Sequence, residues 1–422
     1  MAATAPRRVV VTGLGMVTGI GLNVEESWKA AVEGVSGADT LTQFAHGTFP
    51  VHFGVEVKGF KASDWMDGKE ARRNDRFVHL GMAAARQAMA DAKLDVKAAN
   101  IDPNRCGVVV GSGIGGIHSI EEQMLRFVER GASRISPFTV PMLMVNGISG
   151  VIAIEFGFKG VNYSPVSACA TGNHALALGL RHIRWGDADV VLCGGSEAGI
   201  SILGLGGFSN MKALSTRNED PKRASRPFDK ERDGFVIGEG AGVLLLEELE
   251  HARRRGAVIH GEVLGAGMTD DAYHITAPEE SGDGGTRGMV LAIAEAGLAP
   301  EQIDYVNCHG TSTPYNDKTE TLCIKKSLGE AHARRIVMSS TKGQIGHTLG
   351  AAGGIEAIFT LLTIKTGIIP PTINYQTPDP DCDLNYCPNQ AGKADVRYAL
   401  SNNLGFGGHN VTICLGRYDG RG

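Results

Sequence analysis

The segment SPVSACATGNHALALGLRHIRWG, residues 164–186, passes from one kind of secondary structure into another. Ser164 to Val166 suit extended backbone, whereas the Ala/Leu-rich run from Ala175 to Leu180 propagates a helix. Cys169 stands at this step, and its small neighbours leave room for a substrate or for another backbone: Ala168, Ala170 and Gly172. A strand that runs directly into a helix is the basic unit of an α/β fold.

The position of Cys169 allows two interpretations. A thiol at a helix N-terminus feels the positive end of the helix dipole, which favours the thiolate, and nearby backbone N–H groups can face a developing oxyanion. Most cysteines are instead small buried hydrophobic residues with a structural role. The residues of this segment alone leave both interpretations open.

The rest of the chain alternates between strand and helix patterns. Val/Ile/Leu runs that end at glycine or a small polar residue predict buried strands at 7–15, 106–116, 188–197, 240–250, 258–269, 303–313, 335–343, 398–408 and 409–416. Helical patterns lie between them at 76–94, 174–186, 285–298 and 352–367. The order repeats once, which predicts two similar α/β halves, 1–256 and 257–422, joined at HARRRGA (251–257).

Length, charge and cysteine content narrow the classes of protein to which the chain could belong. A length of 422 residues favours two domains or two fused halves, and a net charge of −5 gives no general reason to expect nucleic-acid binding. The eight scattered cysteines predict free thiols in a reducing compartment. Without a run of 18 apolar residues or an apolar signal core in MAATAPRRVVVTG, we expect no membrane span and a cytoplasmic protein, or one of an organelle stroma or matrix if a precursor is processed.

Two histidines share a distinctive context. His309 lies in NCHGTSTPYND and His347 in STKGQIGHTLGAAGG, each at a predicted strand end among glycines and small polar residues. Either one alone could be an ordinary structural or surface histidine. Together with Cys169 they would place a soft nucleophile and two neutral imidazoles on three converging loops, a combination that suits thioester chemistry.

One glycine motif points elsewhere. Gly111, Gly113 and Gly116 match the G-x-G-x-x-G pattern of dinucleotide-binding turns after a strand. The fingerprint also needs an acidic residue at the end of the next strand, about 20 residues on, and a helical pattern follows here instead. Close backbone packing therefore explains these glycines better than a dehydrogenase does.

Long motifs carry a resemblance to a known family. They include GSGIGG, SACATG, GDADVVLCGGSEA, ASRPFDKERDGFVIGEGAG, HGTSTPYNDKTE and SSTKGQIGHTLGAAG. With them the chain resembles β-ketoacyl-acyl carrier protein synthases over essentially its whole length, and most of all their type II elongating branch. The resemblance implies a thiolase-like, five-layered αβαβα fold built from two similar halves and assembled as a homodimer.

The same resemblance implies roles for individual residues. It makes Cys169 the nucleophile that accepts the acyl group, and His309 and His347 the pair that supports malonyl decarboxylation. It makes Lys342 and Glu320 an ionic pair that orders the site. It implies that Thr311 and Thr313 contact the phosphopantetheine arm and that the backbone N–H groups of Cys169 and Phe406 form an oxyanion hole. It also implies that Phe406 gates an acyl pocket lined by Ile114 and Phe208.

A cluster of basic residues precedes the first long helix. Lys69, Arg72, Arg73 and Arg76 could form an ordinary solvated helix face. The resemblance implies that this region, joined by Lys212, docks the acidic acyl carrier protein that delivers both substrates.

The implied reaction is a decarboxylative Claisen condensation of malonyl-carrier protein with a Cys169-bound acyl chain, with no metal and no cofactor. A ketosynthase of a type II polyketide or aryl-polyene pathway would use the same residues. A non-catalytic partner subunit of the chain-length-factor kind is a further alternative, against which intact Cys169 speaks. A thiolase fits less well, because it would bring a second catalytic cysteine.

Overall fold

The computed structural model of the protein describes residues 7–98 and 100–420. The first six residues, which belong to the segment judged to lack a signal core, lie outside the described residues. The strands are β1 Val9–Val17, β2 Asp39–Thr40, β3 Phe53–Gly54, β4 Cys106–Gly111, β5 Asn162–Tyr163, β6 Val190–Glu197, β7 Gly240–Glu248, β8 Gly261–Asp270, β9 Tyr305–Asn307, β10 Val337–Ser339, β11 Ile368–Ile369, β12 Gly392–Lys393, β13 Tyr398–Gly405 and β14 His409–Gly416.

The helices alternate with these strands. They are α1 Val24–Val32, α2 Gly68–Ala71, α3 Arg76–Ala92, α4 Ile117–Arg130, α5 Thr139–Leu143, α6 Gly147–Phe156, α7 Thr171–Trp185, α8 Ile202–Asn210, α9 Leu249–Arg254, α10 Asp283–Glu295, α11 Pro314–Leu328, α12 Glu330–Ala333, α13 Lys342–Ile345 and α14 Ala352–Thr366.

The large mixed sheet has a repeated strand order. From one edge to the other it runs β5-β4-β6-β7-β1, then β8-β14-β13-β9-β10. If the five strands of each group are numbered along the chain, both groups read 3-2-4-5-1 from their outer edge inward. The groups meet where β1 pairs antiparallel with β8, through Val10 with Glu262 and Val11 with Gly261. The division of the chain at residues 256 and 257 stays a prediction.

Helices cover both groups of strands in layers. Helices α3 and α6 pack on one side of the N-terminal group, and α10 packs on the C-terminal group and against α11. Helices α7 and α14 contact each other and strands of both groups, so they form the central layer. The two helices pack closely at Gly172, where a Cβ atom would lie 2.7 Å from the backbone nitrogen of Gly354. The result is the five-layered αβαβα arrangement expected from the resemblance.

The two central helices begin in the same way. A single 3-10 turn precedes each of them, Ala168–Ala170 before α7 and Leu349–Ala351 before α14. The first residue of each turn, Ala168 or Leu349, has a φ angle of 48°, a left-handed conformation that costs energy for a residue with a Cβ atom. Cys169 and Gly350 therefore occupy equivalent positions in strained corners, and these corners face the site described below.

Burial explains the apolar character of the central layer. All eight cysteines are free and buried, as expected for unpaired thiols.

Among the described residues, the stretch Leu349–Thr366 is long and apolar enough to span a membrane, but 83% of it is buried inside the protein. Its composition is therefore accounted for by its place between the two groups of strands.

Candidate active site

Three side chains from separate loops meet at the start of the central helices. Nε2 of His347 lies 2.9 Å from Sγ of Cys169, and the rings of His309 and His347 lie 5.2 Å apart, edge to face. Cys169, His309 and His347 are all almost fully buried, at 5%, 2% and 3% exposure. The structure therefore brings together the nucleophile candidate and both histidines singled out in the sequence.

The hydrogen bonds around the two imidazoles define their tautomers. The backbone N–H of Leu349 donates to Nδ1 of His347 over 3.3 Å, and the Asn403 amide lies 3.4 Å from Nδ1 of His309, where it can donate. In each neutral ring the proton is then assigned to Nε2. Both histidines can use that N–H to donate a hydrogen bond into the cavity.

Burial sets the charge state of the three groups. It raises the pKa of the Cys169 thiol to about 12, although the Lys342 charge and the backbone N–H groups of Phe406 and Cys169 act in the opposite direction. Loss of solvent outweighs these groups, so the Cys169 thiol is protonated in the resting site. Burial, with the Lys342 charge, holds the pKa of His309 and of His347 well below the ordinary value, so both rings are neutral.

The buried ion pair of the site differs from the expected one. Lys342 pairs with Glu356 on α14 rather than with Glu320, and both partners are buried, at 1% and 0% side-chain exposure. The second carboxylate oxygen of Glu356 accepts from the Asn403 amide at 2.7 Å, so the pair is linked to His309 through Asn403. The sequence offered one signal for Glu356, a carboxylate inside an otherwise apolar helix, but that signal was missed.

Glu320 has a different place. Its oxygens accept from the backbone N–H groups of His309 and Gly310, both at 2.8 Å, and one of them accepts from the Asn402 amide at 3.2 Å. Burial raises the pKa of Glu320 to about 7. This carboxylate therefore holds the backbone of the loop that carries His309 and makes no ion pair with Lys342.

A cavity of about 360 Å³ leads from these groups to the surface. Thr311 and Thr313 line it, and their hydroxyl groups lie 2.9 Å apart. Ile114, Phe208 and Phe406 also line it, as expected. The residues expected for the pantetheine arm and for the acyl pocket therefore line one cavity, and Lys212, an expected docking residue, is exposed at the same cavity.

Aromatic rings connect the expected gate to the histidines. Phe406 lies in the turn between β13 and β14, and its ring centroid is 6.5 Å from that of Phe208. Phe208 contacts Phe235 at 5.3 Å, and Phe235 contacts His347 at 5.2 Å, both edge to face. A row of neighbouring aromatic rings therefore runs from Phe406 to His347.

The expected docking cluster divides into two parts. Lys69 and Arg72 are exposed on or beside α2, and Arg73 is half-buried over the ring of Phe138. Arg76 is different, because its guanidinium donates twice to the fully buried carboxylate of Glu239, at 2.8 and 2.6 Å. The expectation that Arg76 belongs to an exposed docking face is therefore wrong. Arg76 instead holds the start of α3 against Glu239.

The three central side chains are also of the types that bind a metal ion. One ligand atom from each of Cys169, His309 and His347 lies within 4.8 Å of the others, and such a set could bind Zn²⁺. Binding there would occupy the thiol that the expected chemistry needs. The expectation that the reaction uses no metal and no cofactor stays a prediction.

Comparison with known proteins identifies the family. Residues 6–252 match the family model of the beta-ketoacyl synthase N-terminal domain, and residues 260–376 match that of the C-terminal domain. The chain is 50% identical over 418 residues to 3-oxoacyl-[acyl-carrier-protein] synthase 2 of Synechocystis sp., covering 99% of this chain and 100% of the relative. It is 47% identical over 413 residues to the protein of the same name from Staphylococcus aureus, covering 98% and 99%.

Solved structures give the same result for the fold. A ketosynthase of a type II polyketide synthase, solved with its acyl-carrier protein, matches with a TM-score of 0.91 at 36% identity, covering 98% of this chain and 100% of that one. The ishigamide ketosynthase/chain length factor matches with a TM-score of 0.91 at 38% identity and the same coverage. The motifs, the five-layered fold and these matches agree, and the chain belongs to the beta-ketoacyl synthase family.

Proposed function

We propose that the protein is a type 2 3-oxoacyl-[acyl-carrier-protein] synthase, which lengthens an acyl chain by two carbons from malonyl-carrier protein. The observation that carries this proposal is the meeting of the Cys169 thiol with two neutral imidazoles in one buried cavity. The identity of 47–50% to relatives of that name, over nearly the full length of both chains, supports the choice of substrate class.

In the first step, the acyl group passes from the carrier's thioester to Cys169. Sγ of Cys169 attacks the thioester carbon, the carbon–sulfur bond to the pantetheine arm breaks, and the thiol proton leaves with the departing carrier thiol. The Thr311 and Thr313 hydroxyl groups would contact the arm along the cavity wall. The acyl chain would then lie beside Ile114 and Phe208.

In the second step, malonyl-carrier protein replaces the first carrier and loses CO₂. The electron pair of the broken C–C bond moves into the thioester, whose oxygen becomes an enolate. Nε2–H of His309 and of His347 would donate to this oxygen as its charge grows. Neutral imidazoles suit this role, because each keeps a proton on Nε2 while Nδ1 accepts from the protein.

In the third step, the new carbanion attacks the acyl-enzyme carbonyl. The tetrahedral oxyanion would be held by the backbone N–H groups of Cys169 and Phe406, both of which already interact with Sγ in the free site. Collapse breaks the bond to Sγ and releases the 3-oxoacyl product on the carrier, and Sγ of Cys169 then takes from water the one proton that the condensation consumes. Phe406 would gate the acyl pocket, because Gly407 and Gly408 beside it have positive φ angles that give the turn unusual freedom.

We propose that Lys69, Arg72 and Arg73 dock the acidic carrier protein, with Lys212 at the cavity as a second contact. A related ketosynthase has been solved with an acyl-carrier protein bound, which supports a partner of this class. Lys69 and Arg72 are exposed, whereas Arg76 is taken up by Glu239.

We also propose that two copies of the chain form a homodimer through the face around α4, α5, α6 and β5. This face exposes large apolar side chains that a single chain leaves uncovered: Met124, Leu125, Phe127, Val128, Ile135, Val140, Ile154 and Val166. β5 is also an edge strand, so it can pair with a strand of the second copy.

We propose a cytoplasmic location for the protein. Its free, buried cysteines support a reducing compartment.

The test is a condensation assay with purified acyl- and malonyl-carrier proteins, read by mass spectrometry of the carrier-bound product. We expect a 3-oxoacyl product two carbons longer than the primer, and none from Cys169→Ala. A single condensation per primer supports fatty acid elongation. Repeated condensation without reduction would indicate the polyketide alternative, and no product with any primer would indicate a non-catalytic partner subunit.

A further inference from the structure

A second buried carboxylate, outside the expected set, lies beside the acyl pocket. Glu197 ends strand β6 and is fully buried, at 0% exposure. It has no positively charged partner among the described residues, and only neutral donors surround it. A buried carboxylate without an ion pair is expensive, so its hydrogen bonds must offset the loss of solvent.

Four hydrogen bonds converge on Glu197 from two different loops. The Ser112 hydroxyl donates at 2.6 Å, the Gly113 and Ile114 backbone N–H groups at 2.7 and 3.2 Å, and the Gly350 N–H at 2.9 Å. The loop after β4 is closed further, because the backbone N–H of Gly115 donates to Oγ of Ser112 at 2.9 Å.

These loops form two walls of the reacting cavity. Ile114 and Gly113 line it on one side and Leu349 on another, and the Leu349 N–H also donates to Nδ1 of His347. The approach is too close for any other residue type, since a Cβ atom on Gly113 or on Gly350 would lie 2.8 Å from Oε2 of Glu197. The two glycines thus let one carboxylate clamp both walls.

We propose that Glu197 is a positioning residue that fixes the acyl-pocket wall at Gly113–Ile114 against the corner at Leu349–Gly350, and thereby sets which acyl chains load well. This inference rests on the proposed acyl transfer to Cys169. A long chain must pass Ile114 to its full depth, whereas a short chain makes little use of that wall. Loosening the clamp should therefore affect long chains most.

The test compares Glu197→Gln with its parent in the loading of Cys169 from short-chain and long-chain acyl-carrier proteins. In Glu197→Gln the NH₂ group of the new amide would face N–H groups that need an acceptor, so at least one hydrogen bond is lost. We expect KM for the long-chain substrate to rise about tenfold, the size of one such bond, with a smaller change for the short chain. Malonyl decarboxylation should fall less than long-chain loading.

Glu247→Gln is the matched control. Glu247 is also fully buried and accepts from several donors, Thr12, His251 and Arg255, but it lies at the join of the two halves and not at the cavity. It should lower the unfolding temperature without changing the chain-length preference. Equal losses for all chain lengths in Glu197→Gln, or no change in preference, would overturn the proposal.

Ser112→Ala keeps the proposal testable if Glu197→Gln does not fold. It removes one donor and leaves the three backbone hydrogen bonds, so a smaller shift in the same direction is expected, and an unchanged preference would contradict the clamp. The parent enzyme separates this inference from the proposed function. A parent that never acylates Cys169 contradicts the function itself. A parent that loads normally, beside a Glu197→Gln variant that keeps the parent's chain-length preference, contradicts only the clamp.

Discussion

Nε2 of His347 lies 2.9 Å from Sγ of Cys169, while Nδ1 of the same ring accepts from the backbone N–H of Leu349. The imidazole is therefore held as a hydrogen-bond donor to whatever occupies the position beside the sulfur. Burial keeps the thiol protonated and the ring neutral at pH 7. The free site is thus a neutral one, in which charge develops only during the reaction.

The two histidines should matter most in the malonyl half-reaction. His309→Ala and His347→Ala each remove one donor to the enolate oxygen, so release of labelled CO₂ from malonyl-carrier protein should fall about 10²–10³-fold. His332→Ala is the control, since His332 lies on α12 and bonds to the Ile303 carbonyl. Variants of His309 and His347 that decarboxylate normally and fail only in loading would show that these roles are wrong.

The Lys342–Glu356 pair should be expensive to break. Glu356→Gln leaves the Lys342 charge buried without its partner, and the free energy of unfolding should fall by about 3–5 kcal/mol in denaturant titrations. The double variant Lys342→Met with Glu356→Leu removes both charges and should be clearly more stable than Glu356→Gln. A double variant as unstable as the single one would contradict a net cost of the unpaired charge.

Charge reversal should separate docking from chemistry. Lys69→Glu with Arg72→Glu should raise KM for carrier-linked substrates and weaken its dependence on salt, but leave turnover of a small acyl-pantetheine nearly unchanged. Lys365→Glu with Lys393→Glu is the matched control, because both lysines are exposed, Lys365 in the last turn of α14 and Lys393 on β12. Equal losses with carrier-linked and small substrates would point to misfolding rather than docking.

Stability in acid should depend on Asp189. Hydrogen bonds from the Arg105 and Arg7 guanidinium groups lower the pKa of this carboxyl to about 2, below its unfolded value. The stabilisation is therefore present at pH 7 and is lost as pH falls from about 5 to 2. Asp189→Asn should reduce the free energy of unfolding at pH 7 by about 1–2 kcal/mol, and this difference should shrink below pH 3.

The control for this pH dependence is Asp395→Asn. Asp395 pairs with Arg417, but its side chain is 78% exposed, so water screens the pair and no change in stability is expected. Urea titrations of both variants and the parent across the acid range provide the measurement. A constant difference between Asp189→Asn and the parent down to pH 2 would contradict the lowered pKa.

Much of the fold could be predicted from the sequence because its strands are buried on both faces. Continuous Val/Ile/Leu runs predicted β6, β7 and β14 to within two residues of their observed bounds, whereas the strand predicted at 106–116 ends as β4 at Gly111. Helix α7 begins at Thr171, three residues before the predicted start, because Thr-Gly-Asn has low helix propensity and tertiary packing overrides it. The two-residue strands β5, β11 and β12 carry no periodic signal, since long-range pairing alone makes them strands.

The three central side chains of the site could be predicted from the sequence, but the buried charged groups around them could not. Cys169, His309 and His347 stand in distinctive loops, but a sequence does not tell which of two carboxylates reaches Lys342. Glu356 was hidden inside an apolar helix and Glu197 at the end of a buried strand, where only the folded chain brings their donors together. Arg76 looked like part of a basic face because its partner Glu239 lies 163 residues away.

The most direct test of the central claim is intact-protein mass spectrometry after mixing the protein with acyl-carrier protein. The account predicts a mass gain of one acyl group on the parent, mapped by peptide analysis to Cys169, and no gain on Cys169→Ala. The seven other buried cysteines serve as internal controls, since each lies outside the cavity lining. An adduct that persists on Cys169→Ala, or that maps to another cysteine of the parent, would contradict the account.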